Sequence, residues 1–211
     1  VERMDSELAN TLGNLVNRTI AMSNKYFGGV VTKTGVTSDG AGTDEDGNSL
    51  DFDADLKAVV TGTKAKVEDK MSTLHVADAM TEIFALFKRC NKYIDETMPW
   101  ALAKEEDKQD RLATVLYNLI EGITIGASLL EPFMPETSKK IAEQIGADDL
   151  SFESTKTFGE TKASTKVGEA VPLFQRIDAE KKLAELEEEF GQPEEEKIEI
   201  AQYKDYIEFE E

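Results

Sequence analysis

The sequence has 211 residues, 40% of them hydrophobic and 32% charged, which is enough for one sizeable buried core. No stretch approaches the roughly 20 apolar residues of a membrane span, no signal-like segment opens the chain, and the single cysteine, Cys90, excludes an intrachain disulfide or a cysteine-cluster zinc site, so we expect a cytoplasmic protein without a membrane partner. The net charge of −19 argues against nonspecific nucleic-acid binding, but residues 178–211 hold 14 acidic and 4 basic side chains and residues 1–27 balance at three of each, which leaves a local contact to a few bases open.

The first predicted helix covers residues 6–27, with Ser6 as the expected N-cap and Gly28-Gly29 as the stop. At about 100° per residue, one arc holds the apolar side chains Leu8, Leu12, Leu15, Val16, Ile20, Met22 and Phe27, together with Thr19. The opposite side carries Asn10, Asn14, Asn17 and Arg18. Residues 32–50, rich in glycine and aspartate, are predicted to form a loop.

Apolar periodicity predicts four further helices in the first part of the chain, over residues 52–72, 75–98, 105–131 and 135–146. Residues 147–176 lack a pattern, an acidic helix is expected from its cap Asp178 to Gly191, and the chain after Pro193 alternates as an extended segment does. Short connections between helices favour an all-α, antiparallel helix bundle over residues 1–150. Residues 151–192 are expected to be an irregular, acidic extension that packs on the bundle or leads away from it.

Three short motifs suggest chemistry that their surroundings do not support. "DEDGN" at 44–48 has its glycine one step early for a calcium loop, so we favour a solvated loop without metal. "DKMST" at 69–73 falls at a predicted helix end without a nucleotide-binding sheet, and His75 has no histidine or cysteine partner. We therefore predict no catalytic residues and no metal site in this chain.

Two polar constellations remain. Asn14 and Arg18 lie four residues apart on the polar side of the first helix, as either a wetted face or a pair of hydrogen-bonding groups for a ligand. Asn91 falls inside the apolar arc of its helix and Asp95 at the edge of that arc, so each needs a polar partner if buried. We expect Asp95 to pair with the guanidinium of Arg18.

The only tryptophan follows a proline in "NKYIDETMPW" at 91–100. Pro99 cannot continue the helix and is expected to force Met98 into an extended conformation, which takes Trp100 off the helix axis. The ring could pack on the next helix or serve as a platform for an unpaired base. Stacking gives about 1–3 kcal/mol per base without selecting it, and side-chain hydrogen bonds supply the selection.

Four stretches resemble successive landmarks of one family, the anticodon-binding region of methionyl-tRNA synthetases. They are "ELANTLGNLVNR" (7–18), "NKYIDETMPWALAK" (91–104), "LYNLIEGITIGASLLEPFMPETSKKI" (116–141) and "PLFQRID" (172–178). The resemblance implies that Asn14 and Arg18 read the cytosine of a CAU anticodon, that Trp100 stacks on an anticodon base and that Pro99 fixes its ring. Asn91 and Asp95 resemble supports rather than readers. The implied partner is the anticodon loop of methionine tRNA.

The family's catalytic domain is not found in this sequence, which starts at Val1 without an initiator methionine, so we expect a fragment that binds no cofactor. ATP, Mg²⁺ and, in some members, Zn²⁺ would belong to that domain of the parent methionine–tRNA ligase. Residues 193–211 resemble a linker and the start of the family's C-terminal tRNA-binding domain, through which many members form homodimers, so we expect this fragment to be a monomer. Two alternatives stay open: an acidic helical scaffold that binds protein, and the anticodon module of another class I synthetase.

Overall fold

The computed structural model describes residues 4–34, 51–147, 150, 152, 155, 157–162, 165–175 and 178–191. A π-helical segment, Met4–Gly13, leads directly into α1 (Asn14–Phe27). The other helices are α2 (Phe52–Ser72), α3 (Val76–Thr97), α4 (Pro99–Leu102), α5 (Gln109–Leu130), α6 (Pro135–Ile145) and α7 (Ala179–Phe190), with a 3₁₀ turn at Glu106–Lys108. The prediction of an all-α bundle is confirmed, and the "DEDGN" loop lies outside the described residues.

The chain forms two compact units, Val1–Arg176 and Ile177–Glu211. In the second unit, Asp178 caps α7 as predicted, because its Oδ1 accepts a hydrogen bond of 3.1 Å from the backbone N–H of Lys181. The division into 1–150, 151–192 and 193–211 stays a prediction, and residues 192–211 lie outside the described part of the chain.

Helix α5 forms the centre of the first unit. Almost every residue from Leu112 to Leu130 is buried, and the helix contacts α1, α2, α3 and α6. The expectation that no stretch approaches the length of a membrane span is wrong, because Glu106–Leu130 is long and apolar enough by length and composition. An 18-residue apolar window of this stretch is 94% buried inside the structure, as in the core helix of a globular domain. Helix α5 is therefore apolar on all sides because it packs against neighbouring helices on all sides.

Two glycines allow α5 to approach α3 closely. A Cβ atom added to Gly122 would lie 2.8 Å from Cys90 Sγ, and one added to Gly126 would lie 2.4 Å from Phe87 Cε1. The two glycines are four residues apart and therefore share one face of α5. This contact fixes the position of α3, whose C-terminal end carries the predicted site residues.

The first helix differs from its prediction at its start. Its apolar arc is confirmed, since Leu12, Leu15, Val16 and Ile20 are fully buried. Ser6 does not cap an α-helix, because the chain is already π-helical there and the carbonyl of Ser6 accepts a hydrogen bond from Thr11 Oγ1, five residues later. The predicted stop is confirmed: Gly28 ends the helix in the left-handed region at φ 59°.

A two-stranded antiparallel sheet was not predicted. β1 (Val30–Val31) pairs with β2 (Thr165–Lys166), with Val30 opposite Lys166. Asn24 Nδ2 at the end of α1 donates a hydrogen bond of 2.8 Å to the carbonyl of Gly168. These contacts return residues 165–174 to α1, so part of the segment predicted as irregular forms one wall of the site described below.

The expectation of an extended Met98 is wrong. Met98 adopts the left-handed conformation, φ 44° and ψ 63°, and its N–H bonds the carbonyl of Ile94 to close α3. Its own carbonyl accepts hydrogen bonds from the N–H groups of Ala101 and Leu102, so α4 begins at once at Pro99. Proline disfavours the right-handed helical region for the preceding residue, and the left-handed region satisfies this restriction while continuing the hydrogen bonding.

Candidate nucleic-acid interface

Arg18, Asp95 and Trp100 come together from three different helices. Arg18 Nη2 of α1 lies 3.7 Å from Asp95 Oδ1 of α3, which confirms the predicted ion pair. Arg18 Cζ lies 6.0 Å from the centroid of the Trp100 ring, at the limit of a cation–π contact. The guanidinium is therefore in reach of both a carboxylate and an aromatic face.

Trp100 lies at the surface of the bundle, and Pro99 beside it is buried. The tryptophan is 41% exposed, so the ring is not a core residue and can be reached by a ligand. The Arg18 side chain is 34% exposed and that of Asp95 is 68% exposed. Asp95 therefore lies at the solvent edge of α3, where its charge needs no partner from the core. A buried position for Asp95, which would have required a polar partner, is ruled out.

Asn91 meets the expectation that a polar group in an apolar arc must find partners. The residue is partly buried, and its Nδ2 donates hydrogen bonds to the carbonyls of Thr11 at 3.0 Å and Phe87 at 3.2 Å. The first of these bonds joins α3 to the π-helical segment that precedes α1. Asn91 therefore holds together the two helices that carry Arg18 and Asp95.

Asn14 lies one turn before Arg18, on the exposed side of α1. In the described part of the chain its side chain makes no hydrogen bond, so both its donor and its acceptor face solvent. Asn14 and Asn17 line a surface cavity of about 380 Å³, whose other wall is formed by Pro172, Leu173 and Phe174. The last three residues belong to the "PLFQRID" landmark, to which the sequence assigned no place in the site.

A buried polar network, not foreseen from the sequence, anchors α3 next to the site. Asp53 of α2 binds Arg111 of α5 through two contacts of 2.8 and 2.9 Å, and it accepts a hydrogen bond of 2.5 Å from the hydroxyl of Tyr93. Asn118 donates to the same hydroxyl at 3.1 Å. Burial and the charge of Asp53 raise the pKa of Tyr93, which keeps the hydroxyl protonated as a donor. The network thus joins α2, α3 and α5, and its α3 member, Tyr93, lies two residues before Asp95.

The exposed face of α1 is positively charged although the chain is strongly acidic. Residues 14–27 contain two basic side chains, Arg18 and Lys25, and no acidic one, within a chain of net charge −19. Neither cation is needed to stabilise the core, because both side chains reach the surface. The face therefore offers hydrogen-bond donors at Arg18, whose charge is balanced by Asp95, and a positive charge at Lys25.

The other motifs show no catalytic or metal-binding arrangement within the described ranges. His75 is exposed, and its Nδ1 lies 2.7 Å from Thr73 Oγ1 at the junction of α2 and α3. "DKMST" covers the end of α2, as expected. In the part of the chain that the structure describes, no three His, Cys, Asp or Glu side chains lie close enough to hold a metal ion.

The chain is similar to one family in sequence and in fold. The profile described as the anticodon binding domain of methionyl tRNA ligase matches residues 44–195, which include Trp100. A methionine–tRNA ligase of Caldanaerobacter subterraneus is 43% identical over 98% of this chain, and one of Clostridium tetani is 43% identical over 88%. The chain spans 31% and 27% of the lengths of these two curated relatives.

The structural comparison agrees. The methionyl-tRNA synthetase of Mycobacterium tuberculosis in complex with methionyl-adenylate matches with a TM-score of 0.72 and 29% identity, over 83% of this chain and 32% of that chain. The apo form of the same synthetase gives a TM-score of 0.71 at 29% identity, covering 83% of this chain and 33% of that chain. These matches leave no support for an acidic scaffold or for the module of another synthetase. The chain belongs to the family of anticodon-binding domains of methionyl-tRNA ligases.

Proposed function

We propose that this chain recognises the CAU anticodon of methionine tRNA through Asn14, Arg18 and Trp100, with Pro99 fixing the tryptophan. The observation that carries the proposal is the contact among Arg18, Asp95 and the 41% exposed ring of Trp100. A guanidinium beside an accessible aromatic face is suited to recognise an unpaired base. The ring stacks on the base, and the guanidinium donors contact the pairing edge of that base.

The hydrogen-bonding chemistry fits cytosine at the first anticodon position. A guanidinium can only donate, and the pairing edge of cytosine offers two acceptors, the ring N3 and the carbonyl O2. The Asn14 amide offers an acceptor for the cytosine amino group, and it has no hydrogen bond of its own within the described residues. Uracil carries an N–H donor at N3, so an N–H group of Arg18 would face another donor instead of an acceptor.

Supporting roles follow from the same contacts. Asn91 holds α3 to the segment before α1, and Asp95 orients the guanidinium of Arg18 through their ion pair. The pair is exposed, so Arg18 can leave it at a cost of at most about 1 kcal/mol.

For the whole protein we propose the activity of a methionine–tRNA ligase. ATP drives the attachment of methionine to its tRNA in the cytoplasm, in a catalytic domain that also binds Mg²⁺ and, where it has a zinc-binding insertion, Zn²⁺. In the whole protein, the C-terminal tRNA-binding domain that residues 193–211 resemble would provide a homodimer contact. The Caldanaerobacter relative, of which this chain spans 31%, supports this proposal through its name as a methionine–tRNA ligase.

The test uses the fluorescence of Trp100, the only tryptophan. An anticodon stem-loop with CAU should change the emission on binding, and a stem-loop with UAU should bind more weakly. Arg18→Ala should reduce the preference for CAU over UAU, because one well-placed side chain gives about 1–3 kcal/mol of base discrimination. Lys140→Ala, which removes an exposed charge on α6, is the matched control and should keep the preference. Equal binding of CAU and UAU by the unchanged protein would refute the proposal.

A further inference from the structure

A second surface cavity lies beyond Arg18 along α1. Its volume is about 380 Å³, and its lining includes Arg18, Ala21, Met22, Lys25, Tyr26 and Trp100. Positions 18, 21, 22 and 25 follow the spacing of one helix face, so they form a continuous floor opposite the tryptophan. Ala21 and Met22 make that floor apolar, while the two cations stand at its two ends.

Tyr26 provides a second aromatic ring in this cavity. Lys25 Nζ lies 5.3 Å from the centroid of the Tyr26 ring, so one face of the ring meets a mobile surface cation rather than the core. The Tyr26 hydroxyl makes no hydrogen bond in the part of the chain that the structure describes. Tyr26 also packs against the hydrophobic core. The ring face under Lys25 is therefore the one on which a base can stack, once the ammonium group moves aside.

The distance between the two ends of the cavity is too long for one base. Tyr26 follows Arg18 by eight residues, which is about 12 Å along a helix at 1.5 Å per residue. Neighbouring nucleotides in one stacked strand are about 3.4 Å apart. A base contacting Arg18 would therefore leave the Tyr26 end free for another nucleotide of the same strand.

We propose that Met22, Lys25 and Tyr26 form a second nucleotide subsite, which binds another unpaired nucleotide of the loop whose first anticodon base is read by Arg18. Tyr26 stacks on the base over the apolar side chain of Met22, and Lys25 binds the phosphate. Charge complementarity supports an RNA occupant, since both charged groups of the cavity are cations within a chain of net charge −19. This inference rests on the proposed function, because it needs the loop to be held at Arg18.

The chemistry predicts a subsite that requires a base but does not select it. The lining groups nearest to Tyr26 along the helix are the side chains of Met22 and Lys25, a thioether and an ammonium, which do not form a defined pattern for one pairing edge. Asn17 and Arg18, which do carry such groups, precede Tyr26 by nine and eight residues and lie at the other end of the cavity. The stacking contribution of about 1–3 kcal/mol per base corresponds to roughly 5- to 100-fold in affinity.

The experiment measures the dissociation constants of the whole 211-residue chain for labelled CAU stem-loops by fluorescence anisotropy. The RNAs are the parent loop and loops with one abasic nucleotide, placed in turn at each anticodon position and its two neighbours. Tyr26→Leu should weaken binding of the parent loop about 5- to 100-fold, and Tyr26→Phe, which keeps the ring, should stay within about twofold. For one abasic loop, at a position other than the first anticodon position, the unchanged protein and Tyr26→Leu should bind equally.

A second variant keeps the test independent of folding, because Tyr26 is partly buried. Lys25 is exposed, and Lys25→Gln should lower the slope of log affinity against log salt by about 0.7, as expected for one lost phosphate contact to a single strand. If Tyr26→Leu is folded and binds every loop as the unchanged protein does, or if the salt slope of Lys25→Gln is unchanged, the subsite is refuted. The proposed function survives that result if the Arg18→Ala effect on CAU against UAU is present, and it fails separately if that effect is missing.

Discussion

Replacing Gly126 by alanine tests whether the close contact between α5 and α3 supports the site. The added Cβ would lie 2.4 and 2.8 Å from Cε1 and Cζ of Phe87, and 3.2 Å from Cδ2 of Leu86. Both of these side chains are fully buried, so neither can move into solvent. Forcing an extra carbon into a packed core costs about 1–3 kcal/mol, which exceeds the 0.5–1 kcal/mol that alanine gains over glycine inside a helix.

With the middle of the two ranges, a cost of about 2 kcal/mol and a gain of about 0.75 kcal/mol, Gly126→Ala should lower the free energy of unfolding by about 1 kcal/mol. The matched control is Gly62→Ala in the interior of α2, where an added Cβ would meet no atom within 4 Å. That substitution should instead raise the free energy of unfolding by about 0.5–1 kcal/mol. Urea unfolding followed by circular dichroism measures both values. A Gly126→Ala protein as stable as the unchanged chain would show that α3 and α5 do not pack as closely as described.

Two further predictions concern the buried core. Asp53→Ala should lower the free energy of unfolding, measured in urea, by about 3–5 kcal/mol, because it leaves the partly buried Arg111 without its carboxylate partner. The control Asp95→Ala removes an exposed carboxylate and should change the free energy of unfolding by less than about 1 kcal/mol. Equal effects of the two substitutions would contradict the assigned network. Burial raises the pKa of the Cys90 thiol from 9.0 to about 12, so from pH 9 upward the unfolded chain loses its proton first, and stability should fall by up to about 1.4 kcal/mol per pH unit. In Cys90→Ala, the free energy of unfolding should lose this contribution to its fall with pH between pH 9 and 10. If the fall with pH is the same in Cys90→Ala as in the unchanged chain, the thiol is not its source.

The helices could be predicted where burial and capping give the same answer. Residues 52–72 form α2 with the predicted bounds, since Asp51 accepts hydrogen bonds from the N–H groups of Asp53 and Ala54 just before a run of inward-facing residues. The π-helical start of the first helix could not be predicted, because the same apolar side chains reach the core in π and α geometry. The strands at Val30–Val31 and Thr165–Lys166 are too short to produce a periodic pattern.

Prediction of the site depended on which contacts are local. Asn14 and Arg18 could be placed on one helix face because they are four residues apart. The pairing of Arg18 with Asp95 was expected from the position of Asp95 at the edge of the apolar arc of its helix, and the two side chains do pair, although Asp95 is exposed rather than buried. The wall formed by residues 172–174 depends on the β1–β2 pairing and on the bond from Asn24 to Gly168, which join parts of the chain far apart in sequence. No single-sequence pattern carries that information, so the position of "PLFQRID" beside Asn14 could be seen only in the fold.

The position of Asp95 bears on how an acidic chain can bind one RNA and reject others. A phosphate that approaches Arg18 also approaches Asp95, whose exposed carboxylate repels it, so nonspecific backbone binding at this point gains little. A base that offers two acceptors to the guanidinium gains about 1–3 kcal/mol, which exceeds the cost of at most about 1 kcal/mol for breaking an exposed ion pair. The carboxylate therefore lowers the affinity for any RNA strand more than it lowers the affinity for the correct base. On this argument the negative charge of the chain acts in favour of selectivity, and Lys25 supplies the phosphate contact at a point on α1 that lies away from Asp95.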